Sequence, residues 1–341
     1  MKDSSRTVRW GILGTARIAE KISIAIHQAE NAELTCIASR DSQRAVDWAQ
    51  KHHVKRSVGS YEALLADSEI DAVYIPLPPS LHGEWTVRAA RAGKHVLCEK
   101  PLALNVNQAR EMRRVCLENQ VQLMDGVMWY HHPRAREILQ KIRSDALGEH
   151  RRFTSAFTIC WDNIPENDLR LQRDLGGGSL GDLGWYCIGA TLWAFNELPQ
   201  KVFGTSRSYE DNDVDYNFSG TMWFSKDRIA SFDCGFDVCM RKWFEIAGTK
   251  ASLVCDDFTR PWDNGRPKFH INDDQGNSIK YETEDPLQET CMINHFCDII
   301  RSGRLEQQWS DLGINTQRVL NAIDYSARTE QVVNLADFFP Q

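Results

Sequence analysis

The sequence predicts an α/β protein in two parts: a doubly wound parallel sheet at the N-terminus, then an α+β region with a large, open, mainly antiparallel sheet. Three observations carry this expectation. Up to about Trp129, short apolar runs alternate with stretches of helical periodicity, the mark of βαβ units. After Pro133 and one more helix, strand follows strand, rich in aromatic and β-branched residues. A chain of 341 residues is long enough for two cores, and the division is expected between 1–129 and 130–341.

In the first region strands are expected at 8–13, 33–39, 72–77, 95–98 and 122–128. Ile18, Ile22, Ala25 and Ala29 share one face at helical spacing, and Ala45, Trp48 and Ala49 another. Ser80 precedes a third helix that reaches about Ala92, with Gly93 as its C-cap. A helix from Pro133 to about Leu147 is ended by Gly148. Strands follow at 153–160, 218–224, 229–236, 242–247 and 252–255, with a helix at 179–195 packed on one face of their sheet. The polar stretch 256–285, with Asp263-Asn264-Gly265 and Asp273-Asp274-Gln275-Gly276, reads as hairpins or loops without an assigned function. Helices at 287–301 and 311–328 close the chain. One helix cannot cover an open sheet of aromatic-rich strands, so a homodimer or homotetramer through that sheet is expected.

Composition narrows the partners. Lysine and arginine total 40 against 47 acids, a net charge of −7, which argues against nucleic acid and anionic membrane and favours a small-molecule substrate. Ten cysteines without a CxxC pair read as reduced core residues. The opening Met1-Lys2-Asp3-Ser4-Ser5-Arg6 is polar and no apolar run is long enough for a bilayer, so a cytoplasmic address is expected.

Gly11-Ile12-Leu13-Gly14-Thr15-Ala16-Arg17-Ile18-Ala19 follows a predicted strand and opens a predicted helix, the setting of a dinucleotide fingerprint. Ala16 stands where the middle glycine normally lets the backbone approach the pyrophosphate; Gly14 keeps the tight turn and Ala19 the close helix packing. Where NAD enzymes carry an acid for the ribose 2′-hydroxyl, this chain has Ser39-Arg40 and only then Asp41. A guanidinium and a hydroxyl both suit a 2′-phosphate, which favours NADP, with NAD possible. The alternative reading makes Arg40 a solvated charge beside an Asp41 helix cap. Pro76, Leu77, Pro78 and His82 follow a strand end and are candidates to line the nicotinamide side. His82 has the alternative of sitting simply on its helix.

Three segments in order carry a resemblance: Trp10-Gly11-Ile12-Leu13-Gly14-Thr15-Ala16, Ala92-Gly93-Lys94-His95-Val96-Leu97-Cys98-Glu99-Lys100-Pro101, and Gly176-Gly177-Gly178-Ser179-Leu180-Gly181-Asp182-Leu183-Gly184-Trp185-Tyr186. The chain resembles the Gfo/Idh/MocA oxidoreductases over nearly its whole length, in particular the dimeric dihydrodiol dehydrogenase and glucose–fructose oxidoreductase branch. The resemblance implies a Rossmann domain, a second domain whose sheet forms a subunit interface in many relatives, and Lys100, Asp182 and Tyr186 facing the nicotinamide. Glu99 and Lys100 join the cofactor-binding candidates. Pro79 replaces an asparagine common in the family, and Asp125-Gly126-Val127-Met128-Trp129-Tyr130-His131-His132-Pro133 departs from the commoner Glu-Ala…Arg-Phe-His-Pro. Tyr186 stands where inositol-type relatives have histidine.

These residue types support hydride chemistry at an alcohol or carbonyl carbon. A phenol with a pKa near ~10 is a weak base at neutral pH, and a lysine ammonium beside it favours the phenolate. Tyr186 is therefore the expected acid/base and Lys100 the charge that activates it. Pro101 disfavours helix at Lys100 and helps end the strand there. Asp182 and Tyr186, spaced i, i+4, share a helix face, so Asp182 can bind a substrate hydroxyl or orient the base. Trp161, Arg170 and Arg173 are loop candidates for gating or reading the substrate. His131-His132 lacks a ligand spacing, and no metal is expected. The leading function is an NADP(H)-dependent dehydrogenase or reductase of sugars, polyols or related cyclic compounds. The alternatives are a cofactor-binding sensor without turnover and an enzyme whose tightly held cofactor is recycled within the site.

Overall fold

The computed structural model describes residues 6–161, 164–209, 213–262 and 265–338. The chain packs as two units: residues up to His131 together with Pro286–Ile314, and His132–Asp285 together with Asn315 onward. Where the sequence suggests one boundary after Trp129, the chain thus returns to its first unit near the end.

The first unit is built on a six-stranded parallel sheet. Its elements run β1 (Val8–Leu13), α1 (Arg17–Gln28), β2 (Ala32–Ala38), α2 (Ser42–Lys51), β3 (Arg56–Val58), α3 (Tyr61–Leu65), β4 (Ala72–Ile75), α4 (Pro79–Arg91), β5 (His95–Cys98), α5 (Val106–Glu118) and β6 (Leu123–Asp125). The order β3-β2-β1-β4-β5-β6 reverses between β1 and β4, where open α/β sheets bind ligands at their carboxyl ends. Trp10, Ile12, Leu34, Tyr74 and Leu97 are buried in the core, and α1 lays Ile22 and Ile26 against it. Each such burial stabilises by roughly 1.5–3 kcal/mol.

Two expected strands are shorter here. The 72–77 strand stops at Ile75 because Pro76 has no N–H to continue the ladder. The 122–128 strand is reduced to Leu123–Asp125, since this edge strand pairs only with β5, through Val96–Cys98. Met128–His131 forms a 3-10 turn instead. The α4 helix starts at Pro79, a residue suited to a first turn, and Gly93 beyond its end has φ +74°.

The second unit opens with α6 (Pro133–Arg143), four residues shorter than expected. A nine-stranded sheet follows: β7 (His150–Cys160), β8 (Lys201–Ser208), β9 (Asp215–Trp223), β10 (Ile229–Gly235), β11 (Asp237–Gly248), β12 (Ala251–Cys255), β13 (Lys268–Asp273), β14 (Ser278–Glu282) and β15 (Val333–Asn334). Neighbours pair antiparallel except β7 with β10. The β13–β14 hairpin falls in the polar 256–285 stretch; Asp263 and Asn264 of that stretch lie outside the described residues. Between the strands α7 (Trp185–Phe195) covers one face. The α8 helix (Gln288–Ser302) belongs to the first unit, α9 (Gln307–Thr329) contributes to both, and α10 (Leu335–Phe338) ends the described chain.

Strand register separates the two sheet faces. One row across it, Val202, Met222, Ala230, Phe153, Ile246 and Leu253, is buried throughout. The adjacent row on the other face, Phe203, Thr221, Ser231, Thr154, Glu245, Val254 and His270, is only partly buried. All ten cysteines are unpaired. Cys160 and Cys239 depart from the expected core placement, being exposed at the end of β7 and near the start of β11. Among the described residues no helix is long and apolar enough to cross a membrane.

Candidate active site

In the first unit the β1–α1 turn has the shape a pyrophosphate requires. Gly14 has φ +108°, and a Cβ there would lie 3.0 Å from Leu77 Cδ2 and 3.5 Å from the Tyr61 hydroxyl. Only glycine suits that backbone. The following helix starts at Ala16 with no side-chain cap, so its first amides are presented to an anion. Thr15, Ala16 and Ile18 are half-buried and Arg17 is exposed. Gly11 has a different use: a Cβ would come within 2.6 Å of Leu64, so it admits α3 against β1.

At the end of β2, Ser39 is buried and Arg40 exposed. The Ser39 hydroxyl accepts from the Asp41 amide at 3.2 Å, and the Asp41 carboxylate caps α2 by accepting from the Arg44 amide. Arg40 hydrogen-bonds the Tyr61 phenol. Burial raises the Tyr61 pKa despite this cation, so the phenol remains a neutral donor beside the cradle. These groups fit an adenosine 2′-phosphate, and the capping role of Asp41 does not compete with it.

The Glu99-Lys100-Pro101 segment is fixed from below. Glu99 turns into the protein: Tyr74 donates its hydroxyl to Oε1 at 2.5 Å, Lys100 donates its amide to Oε2 at 3.2 Å, and a Cβ on Gly126 would come within 2.7 Å of Oε1. The Lys100–Pro101 peptide is cis. Lys94, the other lysine of the motif, is buried and donates to the carbonyls of Asp67 and Ile70. His82 corrects the sequence reading. It is fully buried, with Nδ1 2.9 Å from the Pro101 carbonyl and Nε2 2.7 Å from the Leu77 carbonyl. Burial pushes its pKa down to about 4, and the ring ties two loops together instead of meeting a nicotinamide.

In the second unit the expected helix at 179–195 begins as a π-helical turn, Leu180–Gly184, before α7. Such turns occur mostly at functional sites. Asp182 lies in that turn and Tyr186 one residue into α7, half-buried, with its ring edge-on to Phe157 at 5.3 Å. Arg170 Nε donates to Asp182 Oδ2 at 2.7 Å and its guanidinium lies over Trp161. Trp161 stacks on Phe236 with its rings 5.6 Å apart, so the indole is held between two neighbours. Arg173, grouped with these residues from the sequence, turns away to pair with Asp213.

Below the turn is a residue the sequence did not single out. Asp215, first in β9, accepts from the Ser179 hydroxyl at 2.7 Å and the Leu180 amide at 2.6 Å. Gly178, at φ +114°, leaves room for it: a Cβ would stand 2.2 Å from Oδ1. Burial pushes the Asp215 carboxyl up to about 7 against the pull of its two donors. The adjacent histidines diverge, His131 placing Nδ1 2.8 Å from His295 Nδ1 and His132 accepting from the Arg134 amide. Among the described residues no group of three or more metal-ligating side chains forms.

Residues 8–127 match the family model described as an oxidoreductase family with an NAD-binding Rossmann fold, and 135–254 match the Gfo/Idh/MocA C-terminal domain. The chain belongs to the Gfo/Idh/MocA oxidoreductase family. A D-xylose 1-dehydrogenase (NADP+) of Haloferax volcanii is 32% identical over 337 residues, covering 96% of this chain and 99% of its own. A trans-1,2-dihydrobenzene-1,2-diol dehydrogenase of Danio rerio is 32% identical, covering 72% and 73%. Among solved structures, a 3-ketoreductase from Actinomadura kijaniata in complex with NADP and TDP-benzene aligns with TM-score 0.87 at 30% identity, over 94% of this chain and 98% of its own. This Gfo/Idh/MocA chain is thus an oxidoreductase with a nicotinamide-dinucleotide fold.

Tyr61, Asp168 and Asp215 are the polar groups that sequence reasoning missed. Ser60 before Tyr61-Glu62 is an N-cap signal that would have found α3; its hydroxyl accepts from the Ala63 amide. No local signal links Asp215 to Ser179, which lies 36 residues away.

Proposed function

We propose that this protein is an NADP(H)-dependent dehydrogenase or reductase acting on a sugar, polyol or related cyclic alcohol or carbonyl, with Lys100 and Tyr186 as its proton-transfer unit. The observation that carries the reading is the cradle at the carboxyl edge of the parallel sheet, where Gly14, Arg40 and Tyr61 meet. The Gly14–Ile18 turn would hold the pyrophosphate, Ser39 and Arg40 the 2′-phosphate, and Leu77 the nicotinamide side. The bound nicotinamide supplies the hydride acceptor or donor. Tyr186 takes the hydroxyl proton in oxidation and returns it in reduction, with the Lys100 ammonium stabilising the phenolate. Asp182, paired with Arg170, accepts a hydrogen bond from a substrate hydroxyl. The names of the relatives, a xylose dehydrogenase, a cyclic-diol dehydrogenase and a 3-ketoreductase, support the substrate class. Ten unpaired cysteines agree with a reducing, cytoplasmic setting. The partly buried row on the sheet supports self-association through that face.

The test begins with a screen of D-xylose, other sugars, inositols and dihydrodiols against both cofactors. On the best substrate, Lys100→Met and Tyr186→Phe should each lower single-turnover hydride transfer by on the order of 10²-fold or more. NADP affinity should change much less, and the double variant should be little worse than either single one. Undiminished transfer in Tyr186→Phe would remove it as the acid/base and leave Lys100, since His82 is sealed in the protein.

A further inference from the structure

Arg170 touches more of its surroundings than a surface cation needs to. Its guanidinium donates to Asp182 Oδ2 through Nε at 2.7 Å and to Asp168 Oδ1 through Nη1 at 3.2 Å, and packs over Trp161 with 4.7 Å to the ring centre. Its backbone is held as well. The Arg170 amide donates to Asp168 Oδ1 at 2.9 Å, and its carbonyl accepts from the Gly178 amide at 2.9 Å. A Cβ at Gly177 would come within 2.6 Å of that carbonyl, so the glycine run closes onto this residue. Arg170 and Asp182 keep only 30% and 18% of their side-chain surface exposed, which strengthens a charge pair compared with one in open solvent.

We propose that Arg170 is the positioning residue for Asp182, turning its carboxylate and keeping it ionised so that it acts only as a hydrogen-bond acceptor for a substrate hydroxyl. A carboxylate fixed in this way cannot serve as general acid, which leaves that task to Tyr186 and makes Asp182 a filter for substrates that bring a hydroxyl donor. Other groups bearing on the pair are Asp168 and Trp161 at Arg170, and Cys234, whose thiol feels the Asp182 charge but is itself pushed far up by burial. The carboxylates outweigh burial at Arg170 and raise its pKa, so the cation does not titrate. The inference rests on the reading of Asp182 as a substrate-facing group.

The test pairs a substrate-free readout with a kinetic one. Carboxyl NMR of the aspartate-labelled full chain should show Asp182 titrating about one unit or more higher in Arg170→Gln than in wild type. The KM for D-xylose, or for the best substrate of the screen, should rise by about ten- to a hundredfold, with the NADP Kd unchanged. Arg170→Lys, which keeps the charge without the planar fork, should recover most of the titration midpoint and only part of the KM. It also carries the test if Arg170→Gln fails to fold. An unmoved Asp182 midpoint in Arg170→Gln, or wild-type midpoint and KM together in Arg170→Lys, overturns the proposal. A shifted midpoint with unchanged KM would instead sink the substrate-facing reading of Asp182 while its hold by Arg170 stands.

Discussion

Arg40 and Tyr61 show how a single residue can decide which cofactor a Rossmann fold takes. Arg40 hydrogen-bonds the Tyr61 phenol beside Gly14, where the family's NAD-type members need an acid. Arg40→Ala should weaken NADP binding by about tenfold or more while leaving NAD nearly unchanged, because only the 2′-phosphate loses a charge-assisted partner. Titration calorimetry with both cofactors decides it; equal weakening would refute the assignment. At this scale the sequence was informative where chemistry is local. Lys100, Asp182 and Tyr186 stand in contiguous motifs, and Ser39-Arg40 follows directly from a strand. It was silent where a role depends on a distant neighbour: His82 reads as a surface histidine until Leu77 and Pro101 close on both its ring nitrogens.

The opening of α7 shows what an element owes to one buried carboxyl. Asp215 receives Ser179 and Leu180 under the π turn, and Gly178 leaves the space for it. Its native pKa of about 7 lies above the ordinary 3.8, so the folded chain keeps a proton that the unfolded chain has released between those values. The resulting stabilisation is full below 3.8 and is lost as pH rises through about 7. Asp215→Asn has no such proton to lose, so its Tm relative to wild type should rise between about pH 5 and about pH 8. Melts of both proteins at the two pH values check this, and a constant difference would show that the carboxyl titrates normally. Long apolar elements such as β1, α1 and β5 were legible from periodicity. The strands β3, β8 and β15 were not: they are short, or exposed over much of their length, as in Arg56–Val58 and Arg207–Ser208, and so carry little alternation. The π turn has no sequence mark, since Gly181 and Gly184 suit several helical forms.

At the scale of the molecule, the doubly wound sheet and the mainly antiparallel one were both visible as a change of period after Pro133. The return of Pro286–Ile314 to the first unit was not, because an amphipathic helix does not announce which sheet it covers. The row Phe203, Thr221, Ser231, Thr154 and Glu245 leaves an extended, partly apolar face on the second sheet. Light scattering at micromolar concentration, with NADP present, should find a dimer or tetramer, and Ser231→Arg in mid-row should shift it toward monomer by burying an unpaired charge. A strictly monomeric wild type would remove the idea.

That return also sets an order of synthesis. Trp10 of β1 packs against Phe296 of α8, with ring centres 5.2 Å apart, and Met292 and Ile293 share the same core. The nucleotide-binding half therefore cannot complete itself as it leaves the ribosome; its hydrophobic face waits until the segment through Ile314 has emerged. A fragment cut after Trp129 would expose that face, and a frameshift near the end of the reading frame would damage the beginning of the fold as surely as the end.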